Sequence, residues 1–435
     1  MNSTSDPNRP LIESARLHIA EGRLDEAAAA LNQARAQIPG DPRVYIMAAL
    51  MAEKAGDIDA AFQMMEKGVS LDPGWAPGIM ELAHMQARQG QFPEASDNAA
   101  TAMELAPDNA SVRNGAIQVA LLSGQHELAV RHLEAGLKAH SAHVQWRRTL
   151  AGTLSHVGRI EESLEMWNTL IAEAPQDKRA LEGRMHTLLA VGRLSEAARD
   201  TAALRALDPE NEAYVYYDTL AHDQTPKRRP AALNRDVFDN AASAFDQQLV
   251  QMLQYRLPQQ VAGQILVRHP ARQLSLLDLG CGTGLLGAHL GKLKGRLIGA
   301  DLSPKMLEQA QRREIYDELE VADLHDMLAR SPAATWDVIA ALDVCIYIGT
   351  LGEMLQGAWR TLLPGGCLIF SCEKAVESGP DLYLNPITQR YAHKRSHAEA
   401  QCRDVGFSVQ TEETVLRLER GEPVHGFVVM AIKPA

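Results

Sequence analysis

Glycine returns every 34 residues through the first half of the chain, at Gly22, Gly56, Gly90, Gly124, Gly158 and Gly192. Five positions after each stands a small residue: Ala27, Ala61, Ala95, Ala129, Ser163 and Ala197. A third column closes the units with Pro39, Pro73, Pro107, Pro175 and Pro209, and with Ser141 in the fourth slot. Three columns in one register through six units define repeats at 8–41, 42–75, 76–109, 110–143, 144–177 and 178–211. Each unit predicts two helices. The glycine permits a tight turn between them, the alanine sits where they pack too closely for a larger side chain, and the proline ends the second helix. One such unit cannot bury its apolar face alone, so the pattern demands a stack. Residues 212–222, containing Glu212-Ala213-Tyr214-Val215-Tyr216-Tyr217, predict a capping helix over the last repeat.

The period and the small-residue columns resemble the tetratricopeptide repeat (TPR), although most of the aromatics usual in its first helix are missing. The resemblance implies a concave groove that docks a protein or peptide. The bland alternative is an array that serves only assembly or solubility. The next segment, Asp223-Gln224-Thr225-Pro226-Lys227-Arg228-Arg229-Pro230, is polar and bracketed by prolines. It reads as the start of a linker over 223–235, with Lys227-Arg228-Arg229 either solvated or a basic docking site.

The second half, 236–435, opens with apolar residues at helical spacing: Phe238, Ala241, Ala242, Phe245, Leu249, Met252 and Leu253. A second helix is expected over 259–268. Strands then alternate with helices, the strands being Leu274–Leu279, Arg296–Ala300, Glu318–Val321, Trp336–Leu342 and Cys367–Ser371. That alternation predicts a doubly wound parallel sheet. After a helix near 397–405, the runs Ser408–Glu419 and Gly426–Ile432 flank Gly421-Glu422-Pro423 and predict an antiparallel hairpin at the sheet edge.

Between the first strand and its helix lies Leu277-Asp278-Leu279-Gly280-Cys281-Gly282-Thr283-Gly284. Glycines there let backbone approach a ligand where a Cβ would clash. Gly282 to Gly287 also fits the GxGxxG dinucleotide fingerprint, with Asp301 near its acidic position. Asp278, just before the turn, disfavours a phosphate and favours a cationic or hydroxylated ligand.

The octapeptide resembles motif I of the class I S-adenosylmethionine (SAM)-dependent methyltransferases. Downstream segments agree: Ala300-Asp301-Leu302-Ser303, then Ser303-Pro304-Lys305-Met306, Ala322-Asp323-Leu324, Leu342-Asp343-Val344, and Leu363-Pro364-Gly365-Gly366. The closing hairpin also belongs to that topology, whereas a dinucleotide domain continues with parallel strands. The expected fold is thus an all-α TPR solenoid followed by a Rossmann-like seven-stranded methyltransferase sheet. Taken together, the halves look like bacterial methyltransferases with N-terminal TPRs. Phe245-Asp246-Gln247-Gln248-Leu249, Tyr255-Arg256, Arg390-Tyr391-Ala392-His393 and the tail Leu416 to Val424 look typical of that group.

The resemblance implies SAM as cofactor. It assigns to the donor site Asp278, Gly280, Cys281, Gly282, Gly284, Asp301, Leu302, Met306, Ala322, Asp323, Leu324, Leu342 and Tyr255. Within that set, Asp301 would take the ribose hydroxyls, Met306 the adenine face, Asp323 the adenine amino group and Asp278 the methionine end. For the acceptor side the expected residues are His393 as general base, Asp343 as orienter of the donor ammonium or the acceptor, and Tyr347 facing the acceptor. His393 has an unperturbed pKa suited to proton removal near neutrality, but a lid or surface histidine is its plain alternative. Cys345 and Cys372 are expected in the core. Arg417 and Glu419 alternate along the hairpin, as a sheet-edge ion pair or with Arg417 binding an acceptor carboxylate. Strand four ends in Leu342-Asp343-Val344-Cys345, not in Asn/Asp-Pro-Pro-Tyr, which argues against DNA and glutamine amino-methylation.

A formal charge of -12 argues against sequence-independent binding to nucleic acid or anionic membrane. The five cysteines form no CxxC pair, so no metal site or disulfide framework is expected. Met1 to Pro10 is polar, without the apolar core of a secretory leader, and no apolar run has membrane-spanning length. The cytoplasm is the expected setting. Three functions stay open at this point: a methyltransferase whose TPRs recruit a protein, peptide or carrier-bound acceptor; a small-molecule methyltransferase that uses its TPRs for assembly; and a TPR scaffold with a spent catalytic domain.

Overall fold

The computed structural model describes residues 6–241, 255–386, 388–419 and 421–435. Its contacts divide into two compact units, 1–187 and 188–435.

The first unit is all helical. Helices α1 (Arg9–Ala20), α2 (Leu24–Gln37), α3 (Pro42–Ala55), α4 (Ile58–Leu71), α5 (Ala76–Arg88), α6 (Phe92–Leu105), α7 (Ala110–Leu122), α8 (His126–Ala139), α9 (Val144–His156) and α10 (Ile160–Glu173) follow in pairs. Most of α11 (Lys178–Ala190) closes the unit. The repeat columns have separate physical causes. The six glycines have φ between 69° and 85°, and a Cβ at any of them would meet nothing within 4 Å. Backbone conformation, not space, therefore selects glycine. The alanines of the second column, and Ser163, are fully buried, so there space does decide. Ser163 is tolerated because its hydroxyl donates to the Ala151 carbonyl at 2.7 Å. A further column at the same period caps α3, α7, α9, α11 and the helix that starts at Glu212, but not α1 or α5. Asp41, Asn109, His143, Asp177 and Asn211 each accept a backbone N–H at the helix start.

The second unit begins with α12 (Leu194–Leu207) and α13 (Glu212–Ala221), followed by α14 (Ala231–Ala241) and α15 (Leu257–Arg268). The helix expected from Asp236 thus starts at Ala231. Ala242, Phe245, Leu249, Met252 and Leu253 lie outside the described residues. The sheet comprises β1 (Ser275–Leu279), β2 (Arg296–Asp301), β3 (Glu318–Val321), β4 (Trp336–Ala341), β5 (Leu362–Lys374), β6 (Leu382–Leu384), β7 (Tyr391–His393), β8 (Ser408–Glu419) and β9 (Glu422–Ile432). The order β3-β2-β1-β4-β5 is parallel throughout. Strand β9 runs antiparallel to β5, and β8 antiparallel to β9, which is the expected closing hairpin. The short β6–β7 pair, unforeseen in the sequence, extends the C-terminal end of β5, with Glu373 opposite Ala392 and Lys374 opposite His393.

Alternate residues of the central strands feed two cores. Leu277, Leu279, Ile339 and Phe370 pack against α18 (Leu324–Arg330), α19 (Gly352–Thr361) and α20 (Arg395–Val405). Leu276, Val338 and Ile369 pack with α15 and α16 (Leu285–Leu290) on the other face. A parallel sheet covered on both faces leaves its C-terminal strand ends as the open place for ligands. No helix among the described residues is long and apolar enough to cross a membrane.

Candidate active site

A cleft opens at those strand ends. Its first wall is the turn after β1. Gly280 (φ 67°) donates its N–H to the Ala300 carbonyl at 2.7 Å, and a Cβ there would collide with Val344 Cγ2. Gly282 (φ 55°) donates its N–H to Asp301 Oδ2 at 2.9 Å. Gly284 (φ 83°) starts α16, and its Cβ would approach Tyr316 to 2.9 Å. It serves the turn and does not itself line the cleft.

Three carboxylates follow, one from each of the first three strands. Asp278 is 2% exposed and accepts the Tyr316 hydroxyl at 2.6 Å. Burial pushes its carboxyl up to about 7; the Tyr316 bond opposes the rise and nearby Asp301 adds to it. Asp301, ending β2, is also raised by burial, although the Ser303 and Gly282 N–H groups favour its charged form. Asp323 caps α18 through the His325 N–H at 2.8 Å, with the His325 ring Nδ1 at 3.0 Å. Its burial is outweighed by those His325 bonds, and its carboxyl falls below the ordinary value. Cys281, Leu302, Met306, Ala322, Leu324, Leu342 and Tyr255 line the cleft between these groups.

The opposite wall comes from distant segments. Asp343, after β4, holds a left-handed φ of 55° and donates its N–H to Ser371 Oγ at 2.8 Å. Asp tolerates this region better than most residues, but it remains a strained choice for an L-residue. Arg417 Nη1 bonds Asp343 Oδ2 at 3.0 Å, and the same guanidinium reaches Glu373 and, at 2.8 Å, Glu419. Arg390 pairs with Glu419 and lies 3.6 Å from Glu373. Burial raises the Asp343 carboxyl, with Arg417 and Arg390 opposing the rise. Tyr347, on the short 3-10 turn Cys345–Tyr347, meets Phe238 of α14 edge to face at 5.6 Å.

The basic run before α14 is not a free tether. The Tyr391 hydroxyl donates to the Pro226 carbonyl at 2.9 Å, Gly349 and Thr350 N–H groups donate to Lys227, and Arg229 donates its N–H to the Tyr347 carbonyl at 3.1 Å. Arg228 and Ile348 form an antiparallel bridge. This strap fixes Arg228 and Arg229 in the lining of the cleft.

Of the residues expected at the site, the structure gathers all but Gly284 and His393 into one cleft. His393 requires a correction. It is 2% exposed on β7 and absent from the cleft lining, and its Nε2 lies 2.9 Å from the Ile348 carbonyl and 3.4 Å from that of Cys345. Burial lowers its basicity. It pins the turn that carries Tyr347 and does not line the cleft. Cys345 and Cys372 are fully buried core residues, as expected. Arg417 forms the expected pair with Glu419 at 2.8 Å, and it is also 4% exposed and reaches Asp343 and Glu373. Sequence reading did not place Arg228, Arg229, Asn234, Phe238, His325 or Arg390 in the lining. The Lys227-Arg228-Arg229 run was visible as charge, but nothing local showed what it faces.

Comparison with known proteins agrees with this architecture. Residues 277–368 match a family model described as a methyltransferase domain. Residues 9–51, 42–74 and 80–144 match models described as tetratricopeptide repeats. The mitochondrial ubiquinone biosynthesis O-methyltransferase of Mus musculus is 30% identical over 113 residues, covering 24% of this chain and 30% of its own length. The malonyl-[acyl-carrier protein] O-methyltransferase of Legionella pneumophila is 33% identical over 130 residues, covering 27% of this chain and 43% of its own length. The matched segment thus spans less than half of either relative. Among solved structures, magnesium protoporphyrin IX methyltransferase from Synechocystis PCC 6803 with bound SAH aligns over 47% of this chain and 99% of its own, at TM-score 0.38 and 21% identity. In this chain tetratricopeptide repeats are therefore joined to a methyltransferase domain.

Proposed function

We propose that the protein is a SAM-dependent methyltransferase, with residues 236–435 as the catalytic domain, 223–235 as the connection, and 8–222 as the array that recruits a protein, peptide or carrier-bound acceptor in the cytoplasm. The observation that carries the reading is the convergence of Asp278, Asp301 and Asp323 on a glycine turn packed so closely on Val344 that a Cβ at Gly280 would collide with it. The residues suit the donor. Asp278 is a buried carboxyl with one oxygen on Tyr316, which a neighbouring ammonium would ionise. Asp301 is oriented by two backbone N–H groups and keeps lone pairs for a pair of hydroxyls. Asp323 stays ionised as an acceptor for an amino group, and Met306 and Leu324 supply apolar faces.

The bound donor supplies an electrophilic methyl group on a sulfonium. The protein's part is orientation and exclusion of water, and positioning is worth up to about 7–11 kcal/mol in favourable cases. Asp343, held in one orientation by Ser371 and Arg417, and Tyr347, held against Phe238, are the groups that steer the acceptor and hold its proton. The O-methyltransferase relatives support transfer of a methyl group, and the repeats support recruitment of a partner. Titration calorimetry of the full chain with SAM tests the reading. Saturable binding is expected, and no binding at micromolar donor would overturn it. Capture of partners by the full chain, followed by mass spectrometry for methyl gain, tests recruitment. Captured proteins that never gain a methyl group would refute that role.

A further inference from the structure

We propose that the acceptor end of the cleft holds an anion-binding subsite centred on Arg229, with Arg390 and Tyr347 beside it. The methyl acceptor would present a carboxylate or phosphate oxygen to it. The inference rests on the methyltransferase reading and adds the charge class of the acceptor.

The arginines in the lining are not equivalent. Arg417 is saturated by Asp343, Glu373 and Glu419. Arg390 is paired with Glu419 and close to Glu373. Arg229 is half-buried, lines the cleft, and its Nε is buried with no hydrogen-bond partner among the described residues. A guanidinium stays protonated, carries five donors in a fixed fork and accepts nothing. A buried donor of that kind left unmatched is unfavourable, and a planar oxyanion or a phosphate is its natural partner.

The geometry also separates this group from the donor. The strap is anchored by its backbone to the segment after β4 and to Tyr391 of β7, beside β5. The donor carboxylates lie at the ends of β1, β2 and β3. Backbone bonds hold the strap, and among the described residues the Arg229 Nε has no hydrogen-bond partner. Tyr347 shares the lining, and Arg390 and Arg229 both act on its phenol as nearby positive charges. Two cations and a phenol thus meet at one end of the cleft, where the Asp343 carboxylate also acts on that phenol.

The test uses the full chain saturated with S-adenosylhomocysteine, titrated by calorimetry with inorganic phosphate and, separately, with malonate. Saturable binding of at least one anion is expected, and the tighter of the two identifies the source of the charge. Arg229→Gln should weaken that binding tenfold or more, Arg229→Lys should restore part of it, and Lys227→Gln, on the exposed side of the strap, should leave it unchanged. Affinity for S-adenosylhomocysteine should stay within twofold in all variants. Unaltered anion binding in Arg229→Gln, or no anion binding by the wild type, would overturn the subsite. So would loss of donor affinity in Arg229→Gln, which would place the residue on the donor's own carboxylate. Arg229→Lys provides the reading if the glutamine variant does not fold. A wild type that binds no donor would sink the methyltransferase reading, and the anion titration of the ligand-free chain would then judge the subsite alone.

Discussion

On one side of the cleft, the groups proposed to face the donor come from three consecutive β-to-α turns, each written in a handful of adjacent residues. Asp278 and Gly280 share one turn, Asp301 and Ser303 the next, and Asp323 and Leu324 the third. On the other side, Asp343, Glu373, Arg390, Arg417 and Glu419 meet from four separate segments, and the strap brings Arg229 from a fifth. The proposed donor side is a set of local solutions, joined where Gly282 donates to Asp301 and where Asp301 adds to the rise of the Asp278 carboxyl. The acceptor side is one network whose members have meaning only through each other. Neighbouring members of such a network couple, while separate sites add.

That difference sets the sharpest expectation. Arg417→Ala removes the cation from Asp343, Glu373 and Glu419 at once and leaves buried charge unmatched. A loss of about 3–5 kcal/mol is expected for breaking a buried pair, read as a lower urea midpoint of unfolding. A loss below about 1 kcal/mol, the range of an exposed pair, would show the network to be ornamental. On the donor side, Asp301→Ala removes hydrogen bonds to a charged acceptor and should weaken donor binding by about 1.5–3 kcal/mol in calorimetry. Folding stability should change far less, because the burial that raises the Asp301 carboxyl already opposes its charge. Equal damage to folding and binding would erase the contrast between the two sides.

The same contrast governs what the sequence revealed. The repeats were legible because each turn obeys the same local rule: Gly22, Gly56 and their four counterparts all require a positive φ, and Ala27 and its column all require no volume. The central strands and the closing hairpin were legible through alternation and the glycine turns. Of the site, the groups on the strand ends were legible, since motif and topology place them together. The pairing of Arg417 with Glu419 was legible, but its burial and its reach to Asp343 and Glu373 were not. Plain alternation puts Leu416 and Arg417 on opposite faces, but the register shifts between Val415 and Arg417 and both are buried. A bulge of this kind re-aims a side chain and leaves no mark in a pattern of period two. His393 and Arg229 failed for a related reason: each takes its role from a partner far along the chain, Ile348 for one and Tyr347 for the other. Gly56→Ala probes the local rule directly. With open space around its Cβ but φ at 85°, it should lose about 1–2 kcal/mol from conformation alone. Gly280→Ala adds a collision with Val344 and should abolish donor binding.

The smallest effect concerns the proton on Asp278. Its folded carboxyl sits at about 7, well above the 3.8 of an unperturbed Asp. The ligand-free fold therefore prefers the protonated form. This group's contribution to stability is full below about 3.8 and is lost as the pH rises through about 7. Donor binding runs the other way, since the ammonium needs the carboxylate. Lowering the pH from about 7.5 to about 6.5 should weaken the donor about threefold, as the ionised fraction of a group titrating near 7 falls. The α-amino group, ordinarily about 7.7–8.0, loses part of its charge toward the upper end of that window, which trims the observed change to about two- to threefold. Calorimetry in buffers of different ionisation heat should show a proton released on binding near pH 7. Asp278→Asn should flatten both the affinity profile and the proton release, at the price of weaker binding throughout. Tyr316→Phe removes the bond that favours the ionised form and should move the midpoint upward. A flat profile in the wild type would mean that Asp278 does not meet the ammonium, and the donor side would then need a counter-ion from the acceptor network, joining two halves that the structure keeps separate.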